Sequence, residues 1–123
     1  MAVLDSSALI EILLGTKKGE EIKRIIREEG ASITSISIHE VMMGARPHEW
    51  QEVREFLESF EIIPFEEKAA FKSVEIEEAL MKKGRPIGKL DCMIAAVCLI
   101  LEVPLITADS DFSRVEGLTV ISP

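Results

Sequence analysis

The run Ala2-Val3-Leu4-Asp5-Ser6-Ser7-Ala8-Leu9 decides how this chain is read. Three apolar residues stop at an acid and two hydroxyls, and a helical spacing of Ala8, Leu9, Ile12 and Leu13 begins at once. A strand that short and that apolar is buried on both faces, and such strands belong to parallel sheets covered by helices. The same grammar recurs along the chain. Ala31 to Ile36 predicts a second strand, with a helix from Ile38 to Ala45 broken before Pro47. A helix with Val53, Phe56, Leu57 and Phe60 on one face leads to the short strand Glu61-Ile62-Ile63-Pro64. A long helix from about Glu66 to Lys83 follows, with Ala69, Ala70, Val74 and Ile76 to Leu80 as its packing positions. Lys89 to Leu101 is helical by the spacing of Leu90, Ile94, Val97 and Leu101, Val103 to Thr107 is a strand, and Leu118 to Ile121 closes the sheet. Between the first helix and a second through Ile22, Ile25 and Ile26, Gly15 and Gly19 predict an interruption, and Gly30 a stop. The expected architecture is α/β: a three-layer α/β/α sandwich around a central, mostly parallel sheet.

At 123 residues the chain reads as a single domain, 1–123, without linker or internal repeat. Its composition, 47% hydrophobic and 29% charged, excludes a disordered chain. No apolar run approaches the roughly 18 to 20 residues of a membrane span, and a charge appears as early as Asp5, so a soluble, cytoplasmic protein is expected. Cys92 and Cys98 have neither CxxC spacing nor a histidine nearby and read as small buried apolar residues.

The balance of 14 basic against 22 acidic residues, a net charge of −8, argues against a generic binder of nucleic acid that works by neutralising phosphates. It leaves room for an acidic site that meets phosphate through a cation. Only four of the acids are aspartates: Asp5, Asp91, Asp109 and Asp111. Aspartate is a poor residue for a helix interior, so these four mark places serving something besides solubility. Asp5 follows the first strand, Glu40 lies in the helix after the second, and Asp109 and Asp111 follow the strand ending at Thr107. In a parallel sheet these positions share the carboxyl edge, where α/β proteins carry their sites. Asp91, early in a mostly apolar helix, has to point to something polar.

Each acid also has a bland reading. Asp5 and Asp109 fit N-caps, Ser37 to Glu40 fits a capping box, and Asp91 fits a helix dipole. Taken together they are harder to dismiss, because at ~5 Å and an effective dielectric near 20 each like-charged pair costs about 3 kcal/mol. A divalent cation removes that repulsion, and oxygen ligands without His or Cys favour Mg²⁺ or Mn²⁺.

At these residues the sequence resembles PIN-domain ribonucleases, most closely the VapC-like toxins of toxin–antitoxin pairs. The matching pieces are Leu4-Asp5-Ser6-Ser7, Ser35 through Glu40 to Gly44, Lys89-Leu90-Asp91 into Ile94-Ala95-Ala96, and Thr107-Ala108-Asp109-Ser110-Asp111-Phe112. The resemblance implies a sheet near 3-2-1-4-5 order and Mg²⁺- or Mn²⁺-dependent cleavage of single-stranded RNA. It also implies an antitoxin partner and a homodimer. It carries catalytic positions onto Asp5, Glu40, Asp91 and Asp109, with Asp5, Asp91 and Asp109 as metal ligands. Asp111, Thr107 and Ser6 are then assisting groups.

Lys89, Arg85 and Arg46 are candidate RNA contacts, or else solvated helix ends. His39, about 100° around a helix from Glu40, reads as a surface residue. Met42, Met43, Trp50, Val53, Phe56 and Leu57 read either as core or as an apolar surface for a partner helix. Two other functions fit the same class: a non-catalytic PIN-like RNA-binding or scaffold protein, and a signalling receiver domain. A receiver requires paired acids after the first strand, an aspartate after the middle one and a lysine after the last site strand. None of the three is present.

Overall fold

β1 (Ala2–Leu4) lies at the centre of the sheet, between β2 (Ala31–Thr34) and β4 (Leu105–Ile106), and pairs in parallel with both. β3 (Glu61–Ile63) extends the sheet beyond β2 and β5 (Val120–Ile121) beyond β4, giving five parallel strands in the order β3-β2-β1-β4-β5. The computed structural model describes all residues 1–123. The order is not the 2-1-3-4-5 of a flavodoxin-like receiver, which removes that alternative.

Alternation along the strands builds two cores. Val3 and Leu105 face one side, where α5 (Glu67–Lys82) and α6 (Lys89–Leu101) bring Ala69, Ile76, Leu80 and Ala95. Ala2, Leu4, Ile33 and Ile106 face the other side. There α1 (Ser6–Leu14), α2 (Lys17–Glu29), α3 (Ser35–Gly44) and α4 (Trp50–Glu58) bring Leu9, Ile22, Val41 and Leu57. This is the three-layer sandwich expected. Both thiols are buried, and burial, with the nearby Asp5 carboxyl, pushes Cys98 up to about 12. No helix is long and apolar enough to cross a membrane.

Local physics corrects several sequence expectations. Gly15 ends α1 in the left-handed conformation, φ 68°, with its N–H turned back to Glu11 and Ile12. Gly19, by contrast, interrupts nothing. It lies inside α2, buried, and a Cβ there would stand 2.3 Å from the Glu11 carbonyl oxygen. Its bareness lets α2 close onto α1. The second strand stops at Thr34, not Ile36, because Thr34 becomes the N-cap of α3 and accepts from the Ser37 N–H at 3.2 Å. The Ser37 to Glu40 capping box is therefore absent, and the Glu40 carboxylate is free for another partner. Strand β4 is likewise confined to Leu105–Ile106. Val74 is exposed, since α5 buries Ala69, Ser73, Ile76 and Leu80 and turns Val74 outward. The Met42 to Leu57 group divides. Val53 and Leu57 are core, while Met43 and Trp50 are exposed, with the Trp50 indole N–H donating to the Met42 and Ala45 carbonyls that end α3.

Candidate active site

At the carboxyl edge of the sheet β1, β2 and β4 end side by side, and each feeds residues into the same corner. Asp5 follows β1 directly and is only 2% exposed. It caps α1, accepting from the Ala8 N–H at 2.9 Å, so its capping and site readings coexist. Its other partners are hydroxyls. Thr107, fully buried at the end of β4, donates to Asp5 Oδ2 at 2.6 Å, and Ser7 donates across both oxygens at 2.8 and 2.9 Å. Burial pushes the Asp5 carboxyl up. The bonds from Thr107, Ala8 and Ser7 pull the other way, and repulsion from Asp109 adds to the rise.

Glu40, half-buried on α3, accepts from Ser6 Oγ at 2.6 Å. Successive residues of α1 thus serve two different acids, Ser6 reaching Glu40 and Ser7 reaching Asp5. Asp109 caps the single turn Ser110–Arg114, accepting from the Asp111 N–H at 2.9 Å, and its own N–H donates to Thr107 Oγ1 at 2.9 Å. Asp111 is paired with Arg114 at 3.2 Å, and Arg114 also donates to the Pro86 carbonyl at 3.0 Å. Of the two acids in this turn, Asp109 is the one without a cation at its side.

Asp91, in the first turn of α6, completes the group. With Glu40, Gly88, Lys89 and Leu90 it lines a cavity of about 390 Å³ open to solvent. Partial burial, then repulsion from Glu40, Asp5, Asp109 and Asp111 in that order, push Asp91 up to about 7. An aspartate that feels four other carboxyls is the electrostatic signature of acids gathered in one place. The donors are carboxylates throughout, and their hardness and excess negative charge suit a divalent cation of the Mg²⁺ or Mn²⁺ kind. No three His, Cys, Asp or Glu side chains form a ready-made cage.

The basic candidates fare unevenly. Lys89 is exposed and tied to Glu77 at 2.7 Å. Arg85 is exposed in the loop before α6, and Arg46 lies past the end of α3, more than one turn beyond Glu40. His39 is exposed. Two residues of this corner escaped the sequence reading: Ser7, visible only as the second hydroxyl after Asp5, and Arg114, for which spacing gave no signal.

A 3-2-1-4-5 parallel sheet with carboxyls gathered at its carboxyl edge defines an α/β domain built around an acidic, cation-suited site. The PIN domain family matches residues 2–118, and the chain belongs to that family. Its members typically use divalent metal ions. The chain is 25% identical over 122 residues to ribonuclease VapC5 of Mycobacterium tuberculosis, covering 94% of this chain and 87% of the relative. A toxin–antitoxin complex from Klebsiella pneumoniae contains a chain with TM-score 0.78 and 28% identity, covering 100% of this chain and 98% of that one. VapBC2 of Rickettsia felis, solved on a DNA fragment from its promoter, has a chain with TM-score 0.82 over 98% of this chain and 96% of that one. Its identity of 23% makes that likeness one of fold.

Proposed function

We propose that this protein is a divalent-cation-dependent endoribonuclease that cleaves phosphodiester bonds of single-stranded RNA, the toxin of a toxin–antitoxin pair. One observation carries the reading: the carboxyls that follow two strands, Asp5 and Asp109 with Asp111, gather with those of two helices, Glu40 and Asp91, and partial burial together with their repulsion lifts Asp91 to about 7. Such a cluster is costly unless a cation neutralises it. The similarity to ribonuclease VapC5 supplies the chemistry of the substrate.

Asp5, Asp91 and Asp109 would hold Mg²⁺ or Mn²⁺. When bound, the cation supplies charge neutralisation and Lewis-acid polarisation of the phosphoryl oxygens. The chain's own groups do the rest. The hydroxyls of Ser7 and Thr107 fix the Asp5 carboxylate, and Ser6 holds Glu40 where it orients the attacking water and takes its proton. Asp111, neutralised by Arg114, steadies the turn that carries Asp109. Arg85, Lys89 and Arg46 serve the RNA backbone and offset the adverse net charge. Of these, Lys89 lines the cavity with Glu40 and Asp91, and Arg85 lies in the loop leading to it.

Two partners follow. The antitoxin would seat in the apolar groove between α1, α3 and α4, a reading supported by its lining of Ile10, Leu13, Val41 and Phe56 with Glu49 and Glu52 beside them. That rim favours an amphipathic segment with basic residues. Homodimerisation would cover the exposed stripe of Phe71, Val74 and Met81 on α5.

The test is cleavage of a labelled single-stranded RNA in Mg²⁺, in excess chelator, and by Asp5→Asn. Chelator is expected to abolish cleavage, and Asp5→Asn to lower it by roughly a hundredfold or more with the fold intact. A folded Asp5→Asn that cleaves at the parent rate contradicts the assignment. RNA bound but never cut would mark a scaffold.

A further inference from the structure

We propose that Ser7 is a positioning residue which locks the Asp5 carboxylate to the loop carrying Asp109, so that two metal-ligand candidates from different strands move as one unit. This rests on the metal-site reading above. The locking is double. Ser7 Oγ accepts from the Ala108 N–H at 3.0 Å and passes its own proton to Asp5, at 2.8 Å from Oδ1 and 2.9 Å from Oδ2. In parallel, Thr107 Oγ1 accepts from the Asp109 N–H at 2.9 Å and passes its proton to Asp5 Oδ2 at 2.6 Å. Two adjacent N–H groups of the loop after β4 are thereby relayed through two hydroxyls onto one carboxylate after β1. A hydroxyl has a single proton, and both are directed at Asp5, so the 3.1 Å approach of Ser7 to Thr107 is contact within the lock, not a third link.

Helix capping does not account for Ser7. Asp5 itself caps α1 through the Ala8 N–H, and that bond stands without the Ser7 hydroxyl. Nor does burial demand it, because Ser7 is only half-buried and water can satisfy a hydroxyl there. What the hydroxyl adds is orientation. With it, the Asp5 plane is held from both oxygens and the Ala108 backbone is pinned to α1. Without it, Ala108 loses this acceptor, Asp5 keeps one hydroxyl donor, and Thr107 is the one side-chain link left between Asp5 and the Asp109 loop, beside the backbone bond from the Asp5 N–H to Ile106. Outer-shell groups of this kind fix the direction in which a ligand meets its ion.

The experiment measures Mn²⁺ binding by calorimetry on the parent, Ser7→Ala and Ser7→Thr, with the metal-free melting temperature of each. Ser7→Ala is expected to bind Mn²⁺ roughly tenfold more weakly, and Ser7→Thr, which keeps the hydroxyl, to recover to within about threefold of the parent. The metal-free melting temperatures are expected to agree within about 3 °C, as for half-exposed sites. Ser7→Ala with parental Mn²⁺ affinity overturns the proposal. So does a Ser7→Ala that loses melting temperature and Mn²⁺ affinity together with no recovery in Ser7→Thr, since that marks a purely structural residue. A parent that binds no Mn²⁺ at all overturns the metal-site reading itself and this inference with it.

Discussion

Replacing Asp91 by asparagine should stabilise the metal-free protein while destroying the site. Asp91 is held at about 7 in the folded chain against 3.8 ordinarily, first by partial burial and then by four neighbouring carboxyls. Because the folded state favours the protonated acid, it binds more protons than the unfolded chain between about pH 4 and pH 7, and stability falls as pH rises through that window. A rise of about three units corresponds to about 4 kcal/mol at full strength, and the partly solvated position of Asp91 reduces this to about 2 kcal/mol. Asparagine removes the charge at nearly constant volume but forfeits a favourable anion in the first turn of α6, about 0.5 kcal/mol. The net gain is about 1.5 kcal/mol, or ~6 °C in melting temperature for a chain of this length.

The assay is thermal unfolding in chelator at pH 8 and pH 5, followed by circular dichroism. At pH 8 Asp91→Asn is expected to melt above the parent. The difference should shrink at pH 5 and vanish below about pH 4, where the acid is protonated in both states. In Mg²⁺ the order should reverse, since a bound cation stabilises only the chain that retains its ligands. An Asp91→Asn that melts at or below the parent at pH 8 in chelator, beside a parent whose stability is flat from pH 5 to pH 8, would refute the claim that these carboxyls repel one another in a shared site.

Gly19→Ala is expected to destabilise by about 3 kcal/mol, ~10 °C in melting temperature, because the new methyl meets the rigid Glu11 backbone and α2 must lift away from α1. Thr34→Ala removes the buried cap of α3 and should cost about 1–2 kcal/mol by denaturant unfolding. A neutral outcome there would return the cap of α3 to Ser37.

Much of the fold could be read along the chain because the signals are local. Ala2-Val3-Leu4, too short and apolar for anything but a buried strand, and the apolar spacing of Lys89 to Leu101 both became the elements expected. The errors lie where a tertiary partner outweighs a local rule. Glycine in a helix interior costs about 1 kcal/mol, which suggests a break at Gly19; the contact with α1 reverses that inference. Ser37 and Glu40 have capping-box spacing, but the strand ends early, Thr34 takes the cap, and Glu40 turns to Ser6.

The site divides along the same line. Sequence alone determined which acids were available and that three of them follow strands, since an aspartate after an apolar run declares itself through composition and order. Only the tertiary structure decided that Ser7 belongs to Asp5 and Ser6 to Glu40, that Arg114 neutralises Asp111 and leaves Asp109 without a cation, and that Asp91 stands within the field of four other acids. Periodicity reports which face a residue occupies, whereas hydrogen bonds and charge repulsion depend on ångström distances between side chains, whether sequence neighbours such as Ser7 and Asp5 or distant ones such as Ser6 and Glu40, and those are set by how the elements pack.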